Sequence, residues 1–207
     1  MKRNRTIFDA IILSSTYGES TQDLIEFIKH CCTHCQIAKK YFYVNPVLVF
    51  EKTEINKYLL IKKYFENGFL EIFPNILIIK EGAGFSACLN FGIKETSSKY
   101  IIRIDTDDRF ESNRITNQIS EMEKNNLDIC SGYMIDQNNH LMKYPLNNFA
   151  LILMTSLGTN PIAHPSICMK REILYFFYNE DLNKCEDFDL WVRIFLNRKI
   201  NFKFLTY

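Results

Sequence analysis

The amino-acid sequence predicts an α/β fold with a mostly parallel central sheet flanked by helices. Apolar, strand-like runs recur along the 207 residues, and helix-like stretches of about 12–15 residues separate them. No internal repeat, low-complexity tract or linker interrupts this alternation. Strands that alternate with helices in this way usually form one parallel sheet, so we expect a single domain over residues 1–207.

Each element is predicted from its hydrophobic pattern. Strands are predicted from short runs rich in β-branched and aromatic residues, at 9–15, 41–50, 76–80, 100–105, 128–134 and 200–204. Helices are predicted from apolar residues at three- and four-residue spacing, at 21–37, 54–66, 85–97, 111–125 and 187–197. Ser20 and Thr21 are candidate caps of the first helix.

The composition is that of a soluble globular protein. Hydrophobic residues make up 47% of the chain, and 25 basic residues against 24 acidic ones leave a net charge of +1. A dedicated nucleic-acid-binding protein would show a basic excess, so we exclude that class. The seven cysteines are odd in number and irregularly spaced, which indicates free thiols in a reducing compartment.

The apolar runs predict no membrane-spanning segment. The N-terminus is basic and then apolar like a signal peptide, but Asp9 interrupts the apolar part and no small-residue cleavage site follows. The longest apolar run, FALILM at 149–154, is too short to cross a bilayer. We therefore expect a cytoplasmic protein, and peripheral association with the inner face of the plasma membrane stays open.

The most informative segment is YIIRIDTDDRF at residues 100–110, a strand-like run that ends in three acids. Asp105 and Asp107 are two positions apart and lie on the same face of an extended chain. Two such carboxylates can bind Mg²⁺ or Mn²⁺ and leave coordination positions for phosphate oxygens. The alternative is a solvated turn in which Asp107 or Asp108 caps the helix that begins near Glu111. Ligands bind at the carboxyl ends of strands in open α/β sheets, so the position favours a metal site.

A rival interpretation starts from EGAGFSA at residues 81–87. Gly82, Gly84 and Ala87 follow a predicted strand and Asp105 ends the next one, which is the outline of a dinucleotide-binding motif. Three points count against an oxidoreductase. The motif normally follows the first strand, its ribose-binding acid needs no companions, and the residues that follow are few for a substrate domain.

The segment HCCTHC at residues 30–35 suggests a zinc site. Cys32 and Cys35 have the C-x-x-C spacing, and His30 and His34 lie one helical turn apart. A closed zinc site needs a second ligand pair, whereas the other cysteines are single. The segment ends a predicted helix in which small thiols pack well, so packing is the favoured role.

A second acidic motif opens CEDFDLWVRIFLN at residues 185–197. Glu186 and Asp187 lie at the start of a predicted helix, ahead of apolar residues at helical spacing. The helix dipole stabilises acids at this position, which is a sufficient structural reason for them. The same field favours an ionised carboxylate that can accept a proton. The segment alone leaves a helix cap and a general base as alternatives.

Taken in order, these motifs resemble family 2 glycosyltransferases of the Rossmann-like GT-A fold, especially bacterial enzymes of capsule and exopolysaccharide biosynthesis. The resemblance covers nearly the whole chain, from Ile11 to about Phe204. Its most specific segment is RIDTDDRFESNRITNQ, which places Arg114 and Gln118 in the helix after the acids. Five further segments are similar to parts of the family pattern. LSSTYGES resembles the first-strand turn, VLVFEKTEINKYLLIKKYFENG the second strand, and GFSACLNFGI the loop with its helix. NPIAHPSICMKR resembles the acceptor side, and CEDFDLWVR resembles the Glu-Asp pair.

The resemblance implies roles for the matched residues. Contacts with the nucleotide sugar are implied for Ser15, Thr16, Tyr17, Glu19, Glu51, Gly84, Asn90, Arg103, Asp105 and Thr106. Metal ligation is implied for Asp105 and Asp107, catalysis for Asp187 and Glu186, and acceptor contacts for His164 and Trp191. Residues 1 to about 110 would bind the donor, and residues from about 111 to 207 the acceptor.

The implied reaction is inverting, metal-dependent transfer of a hexose from a nucleotide diphosphate sugar, with UDP as the commonest nucleotide, to a saccharide or lipid-linked acceptor. Mn²⁺ or Mg²⁺ would stabilise the departing diphosphate, and Asp187 would remove the proton of the acceptor hydroxyl. A non-catalytic, transferase-like binding protein is the alternative, with the dinucleotide-dependent oxidoreductase as a third interpretation.

Three departures from the family pattern motivate the non-catalytic alternative. Glu51 stands where the family usually has Asp, and Lys52 and Thr53 replace the usual Gly-Pro. Gly82 stands where Asn is common. The chain ends soon after the Glu-Asp helix, where relatives usually continue, so we expect an acceptor part that is shortened at its C-terminus.

Overall fold

The computed structural model describes residues 8–16, 18–68, 72, 74–79, 84–142, 144 and 148–206. Strands come from the β-branched and aromatic runs: β1 Phe8–Ser15, β2 Val44–Phe50, β3 Asn75–Ile78, β4 Ser98–Arg103, β5 Ile129–Gly132, β6 Met134–Ile135, β7 Leu141–Met142, β8 Cys168–Lys170 and β9 Phe202–Leu205. Seven of them form one sheet in the order β3-β2-β1-β4-β8-β5-β9, and β6 and β7 form a separate antiparallel hairpin.

Five of the six α-helices in the described residues follow predicted periodic segments. The six helices are α1 Thr21–Ala38, α2 Ile55–Glu66, α3 Phe85–Glu95, α4 Arg114–Lys124, α5 Asn148–Ser156 and α6 Glu186–Asn197, and α5 is the exception. The Ser20 hydroxyl caps α1 by accepting a hydrogen bond from the Asp23 backbone N–H at 3.1 Å. Among the described residues, no helix has the length and apolar character needed to cross a membrane.

The sheet is mostly parallel, as predicted. β1 pairs in parallel with both β2 and β4, β2 pairs in parallel with β3, and β5 with β9. The exception is β8, which runs antiparallel to its neighbours β4 and β5. The sequence did not predict β8 because three residues are too few for a period-two pattern, and it did not predict α5, whose apolar run was noted without an assignment.

Alternate residues of each central strand feed two hydrophobic layers. On β1, Ala10 and Ile12 pack toward α1, α2 and α4, whereas Ile11 and Leu13 pack toward α3 and α6. Helices therefore cover both faces, as expected for a largely parallel sheet. All seven cysteines are free thiols, and of these only Cys185 is exposed.

Gly92 allows α3 to lie very close to the sheet. A Cβ atom at this position would be 2.5 Å from Leu13 Cδ1 and 2.9 Å from Val49 Cγ2. Such contacts are too short for any larger side chain unless the core shifts. The absence of a side chain at Gly92 thus fixes the distance between α3 and strands β1 and β2.

The strand order places a switch point between β1 and β4. From β1 the chain moves outward to β2 and β3, and it then returns to add β4 on the other side of β1. The loops that leave β1 and β4 therefore diverge at the carboxyl edge of the sheet and leave a crevice there. Ligands of open α/β sheets bind in crevices of this kind.

Candidate active site

A cleft of about 460 Å³ lies at this switch point. Three elements build it: the loop after β1, the first residue of α3 and the turn after β4. Its lining residues are Ser15, Gly18, Glu19, Phe85, Asp105, Thr106 and Asp107. The structure thus brings together Ser15, Glu19 and the three residues of the Asp-x-Asp motif. Phe85 and Gly18 were not among the predicted site residues.

The Asp-x-Asp motif lies in a tight turn. The Asp108 backbone N–H donates to the Asp105 carbonyl at 3.1 Å, which folds the turn so that Asp105 is half-buried and Asp107 is exposed. The fully buried Arg103 guanidinium is ion-paired with Asp105 and also donates to the Ile104 carbonyl. The buried cation therefore fixes the orientation of Asp105 from the protein side and leaves Asp107 facing the cleft.

Arg103 itself does not reach the cleft. Its guanidinium carbon lies 4.9 Å from the centre of the Phe85 ring, a cation–π contact, and Phe85 covers it. In this structure the residue supports Asp105 and Phe85 from beneath the cleft, and the sequence-based assignment of Arg103 to nucleotide contacts stays a prediction.

The closely spaced acids of this turn make ionisation of one another less favourable. Burial raises the pKa of Asp108 to about 6, with the neighbouring charges of Asp105 and Asp107 adding to the shift and Arg114 and Arg103 opposing it. A positive charge placed in this turn would relieve that repulsion. Binding of a cation in this turn would therefore be electrostatically favourable.

The donor set suits a hard divalent cation. Asp105 and Asp107 offer carboxylate oxygens, the ligands that Mg²⁺ and Mn²⁺ prefer. Within the described ranges, no group of three or more His, Cys, Asp or Glu side chains is arranged to hold a metal by itself. A cation here would thus need further oxygens from water or from a phosphate-bearing ligand, which is the usual way in which Mg²⁺ is bound.

Glu51 is engaged by the backbone of the cleft wall. Its Oε1 accepts a hydrogen bond from the Gly84 N–H at 2.8 Å. Gly84 has φ +89°, a conformation that favours glycine, and it immediately precedes α3. Glu51 therefore holds the turn that presents Phe85. Neither Glu51 nor Gly84 lines the cleft. In this structure both residues affect the shape of the cleft through the position of Phe85.

Two threonines of the predicted set are buried and bonded to acids. The Thr106 hydroxyl donates to the Glu19 carboxylate, and the Thr16 hydroxyl donates to Glu54. Lys57 then joins this group, with Nζ 2.9 Å from Glu54 Oε1 and 2.7 Å from the Glu19 carbonyl. Sequence reasoning missed Glu54 and Lys57, although their spacing of three residues on one helix was a usable signal.

Two predicted donor residues require separate mention. Tyr17 lies outside the described residues, as does Gly82 of the rival dinucleotide motif. Asn90 is buried, and its amide is bonded to the backbone of Tyr178 and to Glu180. In this structure its side chain is engaged by Tyr178 and Glu180, and its assignment to nucleotide contacts stays a prediction.

The second acidic motif lies at the N-terminus of α6. Asp187 Oδ2 accepts a hydrogen bond from Asn160 Nδ2 at 2.5 Å, and its Oδ1 accepts from the Phe188 backbone N–H at 2.7 Å. Glu186 and Asp187 are both half-buried in the first turn, where the helix dipole favours negative charge. Asn160 was missed as a site residue, although it belongs to the segment NPIAHPSICMKR.

The two residues expected to contact an acceptor are both buried. Trp191 is fully buried and stacks on Phe195 with ring centres 5.7 Å apart. His164 Nε2 lies 2.7 Å from the Tyr178 hydroxyl oxygen, and burial, together with the charge of Arg103, lowers the pKa of His164 well below its usual value. In this structure the two rings pack against each other with centres 6.2 Å apart, and their assignment to acceptor contacts stays a prediction.

Buried aromatic rings connect the cleft with α6. The His164 ring lies 6.4 Å from the ring of Phe85, which lines the cleft, and 6.2 Å from the ring of Trp191 on α6. Tyr178 lies beside the same histidine, and burial raises the pKa of this phenol, with the carboxylates of Asp187, Glu186 and Asp105 adding to the shift and Arg103 opposing it. These contacts connect two elements whose acidic motifs are far apart in the sequence.

The HCCTHC segment packs behind the acidic turn. The His30 and His34 rings lie 4.6 and 4.8 Å from the Phe110 ring, centre to centre. Burial raises the pKa of Cys32 to about 12, and Cys31 and Cys35 are buried as well. These contacts agree with the packing role that the sequence favoured.

Comparison with known proteins gives the family. The sequence profile of the family described as Glycosyl transferase family 2 matches residues 58–203, well over half of the chain. An uncharacterised glycosyltransferase of Methanocaldococcus jannaschii is 26% identical over 195 residues, which cover 90% of this chain and 64% of the relative. One of Rickettsia conorii is 30% identical over 136 residues, 59% of this chain and 22% of the relative. The chain thus spans between a fifth and two thirds of these relatives.

Solved structures confirm the predicted GT-A fold class. Residues 1–349 of Staphylococcus aureus TarS superpose with a TM-score of 0.71 at 13% identity, over 95% of this chain and 58% of TarS. The same protein in complex with UDP-GlcNAc gives 0.66 at 14% identity, over 95% and 56%. A mannosyltransferase of Pyrobaculum calidifontis in complex with GDP-Man and Mn²⁺ gives 0.61 at 12% identity, over 98% and 55%.

Proposed function

The chain belongs to glycosyl transferase family 2, and from this premise we propose that it transfers a sugar from a nucleotide diphosphate sugar to an acceptor hydroxyl, with inversion at the anomeric carbon. The observation that carries the proposal is the cleft at the switch point, which Asp105 and Asp107 line. Phe85 of the same cleft is linked through the His164 ring to Trp191 of α6, the helix that begins with the Glu186–Asp187 pair. Such a transfer needs stabilisation of a leaving diphosphate on one side of the sugar and a base on the other.

The cleft is the proposed donor site. Ser15, Glu19 and Thr106 line it beside the acidic turn, where Asp105 and Asp107 would hold Mn²⁺ or Mg²⁺. When bound, the cation supplies Lewis-acid stabilisation of the negative charge on the diphosphate. We propose UDP as the donor nucleotide. TarS in complex with UDP-GlcNAc and the Pyrobaculum enzyme in complex with GDP-Man and Mn²⁺, both similar in fold, support a nucleotide sugar with a divalent cation.

Asp187 is the proposed base. The Asn160 amide and the Phe188 N–H hold its two oxygens, and each oxygen keeps a lone pair for an acceptor hydroxyl. As that hydroxyl attacks the anomeric carbon from the face opposite the diphosphate, its proton passes to Asp187. For Glu186, one position earlier, we propose a contact with a neighbouring acceptor hydroxyl.

The chain divides accordingly, within a single domain, into a donor part up to about residue 110 and an acceptor part from about residue 111. We propose a saccharide or lipid-linked acceptor in surface polysaccharide biosynthesis, including capsule and exopolysaccharide, and a place at the cytoplasmic face of the membrane. This proposal draws on the sequence resemblance and on the packing of α5 against α6, the helix that begins with the second acidic motif.

A non-catalytic binding protein is the second candidate, favoured by one observation. Glu51 replaces the expected Asp and is already bonded to Gly84, so a nucleotide contact typical of the family is altered. Such a protein would bind a nucleotide without turnover. The dinucleotide-dependent oxidoreductase is no longer favoured, because the family profile includes residues 81–87 and the acids at 105–108.

The test is a panel of UDP- and GDP-sugars incubated with the purified chain in Mn²⁺, Mg²⁺ or EDTA. We expect donor hydrolysis that requires the cation, and calorimetric UDP binding that disappears in EDTA. Cation-dependent binding with no hydrolysis of any donor would favour the non-catalytic candidate. UDP binding that is equal with and without cation would contradict the proposed donor site.

A further inference from the structure

We propose that Asn90 is a positioning residue that fixes the Asp187 base relative to the cleft, by anchoring residues 176–185 to α3. These residues, the pre-α6 segment, run directly into α6, which begins at Glu186. The inference rests on the proposed transfer reaction. Asn90 thereby aligns the donor cleft with the Asp187 base, which lie on different elements of the chain.

Asn90 makes three hydrogen bonds to the pre-α6 segment. Its Oδ1 accepts from the Tyr178 N–H at 2.9 Å, and its Nδ2 donates to the Tyr178 carbonyl at 2.8 Å and to Glu180 Oε1 at 2.7 Å. The side chain is 2% exposed. A primary amide is needed for this pattern, because it combines one acceptor with two donors in a single plane.

Without this anchor the pre-α6 segment has little regular structure to hold it. Residues 177–179 lie in no helix or strand, and Phe177 has φ 43°, a strained conformation for a residue with a side chain. Arg193 on α6 also holds the segment, by donating to the Phe176 and Phe177 carbonyls at 2.6 and 2.8 Å, and His164 Nε2 lies 2.7 Å from the Tyr178 hydroxyl oxygen. The segment is therefore held between α3 and α6.

α3 is the element that connects this anchor to the cleft. Phe85, its first residue, lines the cleft, and Glu51 fixes Gly84 just before it. Gly92 sets the close packing of the same helix on the sheet. Because one rigid helix lines the cleft at its start and holds Tyr178 at Asn90, any movement at Asn90 changes the distance between the base and the donor.

The test compares Asn90→Asp with Thr96→Val. Aspartate keeps the size and the acceptor but loses both donors, and it places a second carboxylate beside Glu180. We expect kcat to fall about 10- to 100-fold, the range that misalignment of reacting groups produces, while the donor KM and cation-dependent UDP binding stay unchanged. Thr96, the residue just after α3, is also buried and hydrogen-bonded, to the Gly92 carbonyl at 2.7 Å and from the Arg171 guanidinium at 3.1 Å. It lies at the end of the helix opposite the cleft, so its variant should keep the wild-type kcat.

Rescue and hydrogen exchange complete the test. Adding Glu180→Gln to Asn90→Asp supplies an amide that can donate to the new carboxylate, and part of the lost kcat should return. If Asn90→Asp does not fold, Glu180→Ala, a change at an exposed residue, should give a smaller loss of kcat with the same unchanged KM. An unaltered kcat in these variants, or parallel losses of kcat and UDP binding, would overturn the inference.

The failure of this inference can be told apart from the failure of the proposed function. If the wild-type chain transfers no sugar, the proposed function fails, but exchange of backbone amides in residues 176–187 still reports on the anchor. Faster exchange there in Asn90→Asp, with unchanged exchange in β1 and β4, supports the anchor. Unchanged exchange in residues 176–187 removes it.

Discussion

The acidic turn after β4 and the acidic pair at the start of α6 are held in opposite ways. In the turn, Asp105 and Asp107 repel Asp108, Arg103 is ion-paired with Asp105, and Arg103 and Arg114 only partly offset the raised pKa of Asp108. At α6, Asp187 receives two N–H donors and the favourable end of a helix dipole. The first motif keeps an excess of negative charge and gains most from a bound cation, whereas the second already has hydrogen-bond donors for its carboxylate. This difference matches a metal-binding role for one and a base for the other.

The largest effect is expected where the cation would bind. Asp107→Ala should reduce sugar transfer by about 10³-fold or more, since Lewis-acid stabilisation is worth several kcal/mol, and should also abolish Mn²⁺-dependent UDP binding. Transfer assays and calorimetry measure the two effects. Glu26→Ala, which removes an exposed carboxylate from α1, is the control. Retention of Mn²⁺-dependent UDP binding by Asp107→Ala would remove the proposed distinction between the motifs.

Substitution of Asp187 is expected to cause a large loss of sugar transfer without a loss of donor binding. Asp187→Asn preserves the shape of the side chain but cannot take a proton, so transfer should fall by about 10²- to 10⁴-fold. Because the donor site is separate, UDP and Mn²⁺ should bind with wild-type affinity in the same calorimetric titration. Full activity of the purified variant would show that another group is the base.

A smaller effect should follow from loss of the amide that holds the base. Asn160→Ala removes one hydrogen bond to the Asp187 carboxylate, and a contribution of about 1 kcal/mol corresponds to a loss of roughly fivefold in kcat. Steady-state kinetics should show an unchanged donor KM. Asn125→Ala removes a similar amide bond, to Glu121 on α4, and should leave kcat unaffected. Equal kinetics for the two variants would show that the Asn160 contact is dispensable.

The smallest expected effect is on thermal stability, and it tests the repulsion among the acids of the turn without a catalytic assay. The pKa of Asp108 is raised to about 6 in the folded protein. A raised pKa means that the folded state binds the proton more tightly, so the stability contributed by the protonated form is lost as pH rises from about 4 through 6. Asp108→Asn should therefore raise Tm at pH 7 in EDTA by a few degrees, with partial exposure of the group limiting the gain.

The same variant should differ less from wild type at pH 4, where the wild-type carboxyl is protonated. Thermal unfolding at both pH values measures the difference. A Tm for Asp108→Asn that is below the wild-type value at pH 7 would mean that the carboxylate stabilises the turn, and the contrast between the two acidic motifs would be lost.

The sequence predicted the sheet and the cleft because these depend on local patterns. Period-two and helical spacing are visible in short windows, and the carboxyl edge of a parallel sheet follows from the alternation of elements. Asp105, Asp107, Ser15 and Glu19 accordingly lie where they were expected. Their role as a metal-binding and nucleotide-sugar site stays a prediction.

The direction of buried polar side chains could not be predicted in this way. Asn90 points to Tyr178, 88 positions away in sequence, and Asp187 is bound by Asn160, 27 positions away. Such pairs depend on tertiary packing, which no local spacing encodes. Arg103 and Trp191 show the same limit, since a motif gives their positions but not which way they face.

The reversed direction of β8 has a consequence for the geometry of the site. Cys168, the first residue of β8, pairs with Ile102 near the end of β4, and the Ile167 carbonyl accepts the Arg103 N–H at 3.1 Å. The polypeptide that enters β8 therefore arrives at the same rim of the sheet from which β4 departs. A strand running the other way would deliver residues 160–167 to the far rim, out of reach of the acids. The antiparallel direction of the three-residue strand β8 therefore brings residues 160–167 to the same edge of the sheet as the acidic turn.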